Sequence, residues 1–305
     1  MGLGEAGSLP SARGHEVMGT VCVEVAVRDD VRLLDALASL AAQERRPDRV
    51  LVAAATESPE DLLETARRKF PELALDIQRF PGGVVDARAA SVAHLEEPLT
   101  VFLDSDERAP PGWLRQLVAP IEKGEADFAG GPTRPLHPPQ RSLERYSVLL
   151  EESIYADLVP RRVTYLPLQN TAWRTEALRR VGFDPRIPFA EDHDLETRAA
   201  RAGLIGVFLP DAWVFHDGSS EPSFPRWVRK RYRYLVAMAM SLLKNGEMAS
   251  RLAERRRPVA HPLRYLEAGL KPLAMLDASL RWRRVATPAE RARARRGETA
   301  NPPAP

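Results

Sequence analysis

Along the first hundred residues, short apolar runs alternate with stretches whose apolar positions recur every three or four residues. Runs at 20–27, 50–55 and 73–80 read as strands. Residues 30–43 carry Leu33, Leu34, Leu37, Leu40 and Ala41 on one helical face, and 59–70 opens with Pro-Glu-Asp, good first-turn chemistry for a helix. Pro81-Gly82-Gly83 marks a turn, a helix is expected over 85–94, and a strand runs from Leu99 to Asp104. Such alternation calls for right-handed crossovers and a mostly parallel sheet with helices on both faces, an α/β class. Ligands of such sheets bind beyond the carboxyl ends of the strands, which is where Asp104 and Asp106 fall.

The second half is less regular. Helices are expected over 113–123, 143–157, 175–180 and 191–201, the last two closed by Gly182 and Gly203, and strands at 128–131, 206–209 and 212–215, with 165–172 a strand or loop. Beyond Pro225 the period is helical, with Val228, Tyr232, Leu235, Val236, Ala239, Leu242 and Leu243 on one face and Arg229, Lys230 and Arg233 largely off it. After about 285 the pattern dissolves into Arg, Ala, Pro and Gly. The chain thus divides into a leader without order (1–17), one α/β domain (18–225), a basic amphipathic helical extension (226–285) and a tail without order (286–305).

Composition adds two facts. The chain has 44% hydrophobic and 28% charged residues, enough to build a buried core. Its net charge of +2 hides an asymmetry: 226–296 holds 19 lysines and arginines against five acids, +14, which leaves −12 on the rest. A basic extension on an acidic body suits peripheral contact with an anionic membrane, or a polyanionic acceptor met by Arg226, Arg229 and Arg231. No base-reading motif accompanies the arginines, so nucleic acid is not an expected partner. No run approaches the roughly 18 apolar residues of a membrane span. The single Cys22 excludes an internal disulfide and suits a reducing, cytoplasmic setting.

The chemistry concentrates in Leu99-Thr100-Val101-Phe102-Leu103-Asp104-Ser105-Asp106-Glu107. In extended backbone, carboxylates at i and i+2 point the same way. Two hard oxygen ligands at a strand end suit Mg²⁺ or Mn²⁺ shared with a phosphate-bearing substrate.

Four segments, in order, resemble the family 2 glycosyltransferases: Pro81-Gly82-Gly83 through Ala87-Arg88, Val101–Asp106 with Pro110-Pro111-Gly112-Trp113, Gln169-Asn170-Thr171-Ala172-Trp173-Arg174, and Glu191-Asp192-His193-Asp194 with Arg198, Gly203 and His216 downstream. The resemblance covers about 19–235. It implies a GT-A fold, with a mixed, mostly parallel central sheet, and inverting transfer of a sugar from a nucleoside-diphosphate sugar to a glycan, lipid-linked or protein-linked acceptor. It also implies roles: Asp192 as general base with Glu191 beside it, Arg88, Asp104 and Asp106 on the donor, Asp104, Asp106 and His216 on a divalent cation (Mn or Mg), and Trp173, Gln169 and Asn170 on the acceptor. Asp194 is expected to serve structure. One departure stands out. The Asp-rich turn that family members use to read the nucleotide base is here Ala53-Ala54-Ala55-Thr56-Glu57. Those alanines keep a second reading open, a non-catalytic binding or scaffold protein of the same fold. A sugar nucleotidyltransferase is a third, against which stands the lack of a Gly-rich loop at 28–30.

Overall fold

The computed structural model describes residues 19–156, 158, 162–163, 165–218, 223–246 and 259–291. The expected leader and most of the expected tail lie outside these residues. Five β-strands and three helices build the first half: β1 (Val21–Val27), α1 (Leu33–Ala41), β2 (Arg49–Ala54), α2 (Glu60–Lys69), β3 (Leu75–Arg79), α3 (Val84–Ser91), β4 (Leu99–Leu103) and β5 (Glu107–Arg108). The second half adds α4 (Trp113–Glu122), β6 (Phe128–Gly130), β7 (Thr133–Pro135), α5 (Ser142–Tyr155), β8 (Arg162–Val163), β9 (Asn170–Arg174), α6 (Thr175–Val181), α7 (Glu191–Arg201), β10 (Gly206–Phe208), β11 (Val214–His216), α8 (Phe224–Asn245) and α9 (Leu263–Val285).

An eight-stranded sheet of order β3-β2-β1-β4-β9-β6-β10-β8 forms the spine. β1, β2, β3 and β4 are parallel, as the alternation demands, whereas β9 runs antiparallel between β4 and β6. β5, β11 and β7 make a separate three-stranded sheet. Its strands of two or three residues are too short to show a period, and β5 and β7 were not expected.

Alternation along the central strands sorts the core. Val21, Val23, Val25 and Val27 join Val50, Val52, Val101 and Leu103 under Leu33, Leu37 and Leu40 of α1 and Trp113 and Leu117 of α4. Cys22, Leu51, Phe102, Phe128 and Trp173 line the other face under Leu195 and Ala199 of α7. Cys22 is a fully buried free thiol that burial pushes up in pKa, an inert core residue.

The helical extension packs on this body. Leu235, Val236, Ala239 and Met240 of α8 meet Ala274, Ala278 and Trp282 of α9, together with Ile187 and Ala190 just before α7. The apolar stripe of α8 therefore faces protein, and among the described residues no helix is long and apolar enough to cross a membrane. Lys244 near the end of α8 bridges Asp184 and Asp194 (2.7 and 2.8 Å), and His193 Nδ1 lies 2.9 Å from Ser241 Oγ. These polar ties fix α8 to α7, the helix that opens with Glu191 and Asp192.

Candidate active site

The side chain of Glu24 sits in the middle of β1 on the face opposite the valines, fully buried. It accepts from Arg88 Nε (3.2 Å) and Ser91 Oγ (3.3 Å), both on α3, which packs against β1 and β2. Arg88 in turn donates to Asp104 Oδ1 at 2.6 Å. A chain of charges thus runs from the sheet interior to the tip of β4. Burial raises Glu24 to about 7 despite the opposing pull of Arg88. Sequence reading missed Glu24, although an acid interrupting the run Val-Cys-Val-Glu-Val-Ala-Val was a visible signal.

The two aspartates after β4 do not continue the strand. Asp104-Ser105-Asp106-Glu107 forms a turn closed by the Glu107 N–H to the Asp104 carbonyl (3.1 Å), and Glu107 Oε2 accepts the Asp104 N–H (3.1 Å). The assumption of extended backbone is corrected here: the turn sends Asp104 to Arg88 and Asp106 elsewhere. Asp106 Oδ2 lies 3.4 Å from His216 Nε2 and 3.4 Å from an Arg32 nitrogen. His216 is brought there by β11, which pairs with β5 in the register His216 opposite Glu107. Its Nδ1 lies 3.5 Å from Glu151 Oε1 on α5, and Glu151 Oε2 accepts from Thr133 Oγ1 (2.9 Å). Burial disfavours the imidazolium, but Asp106 and Glu151 outweigh it and hold His216 well above its ordinary pKa. Asp106 is lowered, His216 and Arg32 overcoming its burial.

Whether these residues suit a divalent cation follows from four observations. Adjacent ligands on an octahedral ion with bonds of about 2.1 Å lie about 3.0 Å apart, and Asp106 Oδ2 and His216 Nε2 are 3.4 Å apart. A metal-bound histidine usually turns its other ring N–H to a carboxylate, the position Glu151 holds. Glu107 is buried beside Asp104 and Asp106, is raised well above its ordinary pKa by burial and by their charge, and keeps Oε1 without a partner. Among the described residues no three His, Cys, Asp or Glu side chains close on one point. The donor set is therefore open, of the kind completed by phosphate oxygens and water.

On the far side, α7 begins at Glu191. Asp192 Oδ1 accepts the His193 N–H (2.6 Å) and Oδ2 accepts the Tyr165 hydroxyl (3.1 Å). Burial raises Asp192 to about 6 against these two bonds. Burial, then repulsion from Asp192, raises Glu191 to about 7, and Arg88 and Asp104 also act on it. Asp192 and His216 share one cleft of about 670 Å³, whose wall includes Glu151, Tyr165, Gln169, Phe189, Trp227 and Arg231.

Three acceptor residues were expected, and the structure separates them. Gln169 lines the cleft. Asn170 is fully buried, accepting from Trp113 Nε1 (2.8 Å) and donating to the Pro132 and Ala212 carbonyls (3.1 and 2.9 Å). Trp173 is also fully buried, stacked on Phe128 with centroids 4.4 Å apart. With its faces covered, Trp173 cannot serve as an acceptor platform, and Asn170 has no free amide for a sugar. An exposed aromatic in the cleft wall is Phe189, 38% exposed, at φ 69°, with the Arg233 guanidinium 4.1 Å from its ring centroid. A left-handed phenylalanine costs about 1–3 kcal/mol, a strain found where function demands it. No sequence pattern announces that conformation. Asp194 is structural as expected, held by Arg198, Lys244 and Asn245. Arg231 is committed to Glu267 at 2.8 and 3.0 Å.

The mostly parallel sheet, with β9 reversed between β4 and β6 and an acidic turn after β4, has the GT-A class of fold. Solved structures bear this out. The chain is similar to the mannosyltransferase PcManGT from Pyrobaculum calidifontis in complex with GDP-Man and Mn²⁺ (18% identity, 95% of this chain and 83% of that one, TM-score 0.55). It is also similar to TarS of S. aureus (17% identity, 91% and 53%, TM-score 0.56) and to GalNAc-T7 with UDP, GalNAc and Mn²⁺ (15% identity, 89% and 57%, TM-score 0.56). Among curated protein sequences none matches. Residues 99–284 match the family model described as glycosyl transferase family group 2. The chain belongs to that family, and is a glycosyltransferase.

Proposed function

We propose that the chain transfers a sugar, with inversion, from a nucleoside-diphosphate sugar to an acceptor hydroxyl bound in the cleft beside Asp192. The observation that carries this reading is the raised, half-buried carboxylate of Asp192 in the same cleft as His216, whose Nε2 lies 3.4 Å from Asp106 Oδ2. Neighbours with GDP-Man or UDP-GlcNAc support a nucleotide-sugar donor. Asp106 and His216 would hold a divalent cation, with Asp104 presented alongside on Arg88. When bound, such an ion offsets charge developing on the diphosphate leaving group. Arg88 holds Asp104 in place, and Arg32 adds a further positive charge at Asp106.

Asp192 takes the acceptor proton. A carboxylate poised at about 6 is ionised at neutral pH yet basic enough to work, and base catalysis contributes roughly 10²–10⁴-fold. Tyr165 and the His193 N–H fix its orientation, while Phe189 and Gln169 offer the acceptor an apolar face and an amide. At the nucleobase end, Ala53, Ala54 and Ala55 are fully buried, and Thr56 Oγ1 is spent on the Gly82 N–H and the Phe80 carbonyl. The exposed Glu57 is the one carboxylate of that turn, and with the other acids replaced by alanine base discrimination is weak.

The test is Asp192→Asn, which keeps the shape and the acceptor for the His193 N–H. Sugar transfer should fall by about 10²–10⁴-fold with donor binding retained, and the wild-type product should show the opposite anomeric configuration to the donor. Unchanged turnover, or retained configuration, would remove Asp192 from this role.

A further inference from the structure

The two sides of α9 have opposite characters. Ala274, Ala278 and Trp282 pack inward against α8. Tyr265, Leu273, Leu276 and Leu280 are 68, 58, 62 and 48% exposed. At 100° per residue these four fall within an arc of about 80°, centred opposite the buried three. The other exposed positions of the helix include Lys271, Arg281, Arg283 and Arg284, and no acid. Its two acids are spoken for: Glu267 is buried under Arg231, and Asp277 is tied to Arg281.

A helix side made of large apolar residues and bordered by Arg283 and Arg284 has the make-up of helices that lie in a bilayer interface. Charge selects among the occupants. A second copy docked face to face with its helix parallel would bring Arg283 and Arg284 against their own like, whereas anionic headgroups complement them in any orientation. We propose that this side of α9 rests on an anionic lipid bilayer, with Leu273, Leu276 and Leu280 at the headgroup–acyl boundary and the arginines on lipid phosphates. The same helix lends Glu267 and Lys271, on its opposite side, to the wall of the cleft, so the helix stands between the cleft and the lipid surface. The inference does not rest on the assignment of Asp192 or of a cation.

The experiment is flotation of the full chain with phosphatidylcholine vesicles and with vesicles in which a third of the lipid is phosphatidylglycerol. Binding is expected to the second only, and to weaken with salt. Leu273→Asp, Leu276→Asp and Leu280→Asp together should reduce it at least about tenfold, with circular dichroism and thermal unfolding unchanged because all three point outward. Arg283→Gln with Arg284→Gln should reduce it while leaving the leucines in place. Absence of binding to either vesicle, or equal binding by the triple-Asp variant, would overturn the proposal. So would a wild-type dimer that the triple-Asp variant breaks, which would give the face to a second copy.

Discussion

Glu24→Gln isolates the buried charge chain behind Asp104. Folded-state burial holds Glu24 at about 7 against an ordinary 4.5. A carboxyl whose pKa rises on folding stabilises fully below its unfolded value and loses that contribution as pH climbs through the folded one. Each pKa unit is worth 1.36 kcal/mol, so about 3 kcal/mol is lost in total, of which roughly 2 falls between pH 5 and pH 8. Glutamine is nearly the shape of the protonated acid and keeps a carbonyl for the Arg88 Nε–H. The variant should match the wild type near pH 5 and exceed it by about 2 kcal/mol near pH 8. Urea unfolding followed by tryptophan fluorescence at several pH values measures this, because contributions from distant groups cancel between the two proteins. Activity should move the other way: Arg88 loses one charged partner, a charge-assisted bond worth about 1.5–3 kcal/mol, and its hold on Asp104 loosens. A fall in sugar transfer of about ten- to a hundredfold, in a protein that is more stable, is the expected pairing. Parallel stability–pH curves would show that Arg88 keeps Glu24 ionised throughout, and the reasoning from burial would fail.

Other outcomes follow from single contacts. Wild-type kcat/KM should fall about tenfold per pH unit below the Asp192 value of about 6, and this limb should vanish from the residual activity of Asp192→Asn. Glu151→Gln should weaken Mn²⁺ binding about 10–100-fold by titration, since the partner of His216 Nδ1 loses its charge. Phe189→Ala should raise the acceptor KM without lowering stability, whereas Trp173→Phe should leave KM alone and lower unfolding stability by about 1–2 kcal/mol. Gly131→Ala should disrupt folding, because an added Cβ would meet the Ala212 carbonyl oxygen at 1.9 Å.

Much of this was legible in the chain. β1, β2, β4 and the helices between them carry five or more residues of clear period, and their parallel order follows from connection rules. Asp104, Asp106, Asp192 and His216 stood at strand or helix ends, where chemistry is expected. The illegible parts have local causes. The reversal of β9 is set by its neighbours and leaves no mark on its own five residues. Trp173 carries a residue type suited to sugars, but alternation along β9 turns it into the core against Phe128. The acidic turn at 104–107 reads as strand until the Glu107 side chain is seen to close it. Glu24 needed its partner, sixty-four residues away, to become meaningful.

The reversal of β9 has an architectural consequence. Because it runs against β4 and β6, its beginning, not its end, lies at the edge where β4 gives way to the acidic turn. The segment before it, with Tyr165 and Gln169, is thereby free to change in length or composition without disturbing helix α3 and strand β4, which carry Arg88 and Asp104. On the proposed reading, evolution can retune what receives the sugar while leaving untouched the machinery that releases it.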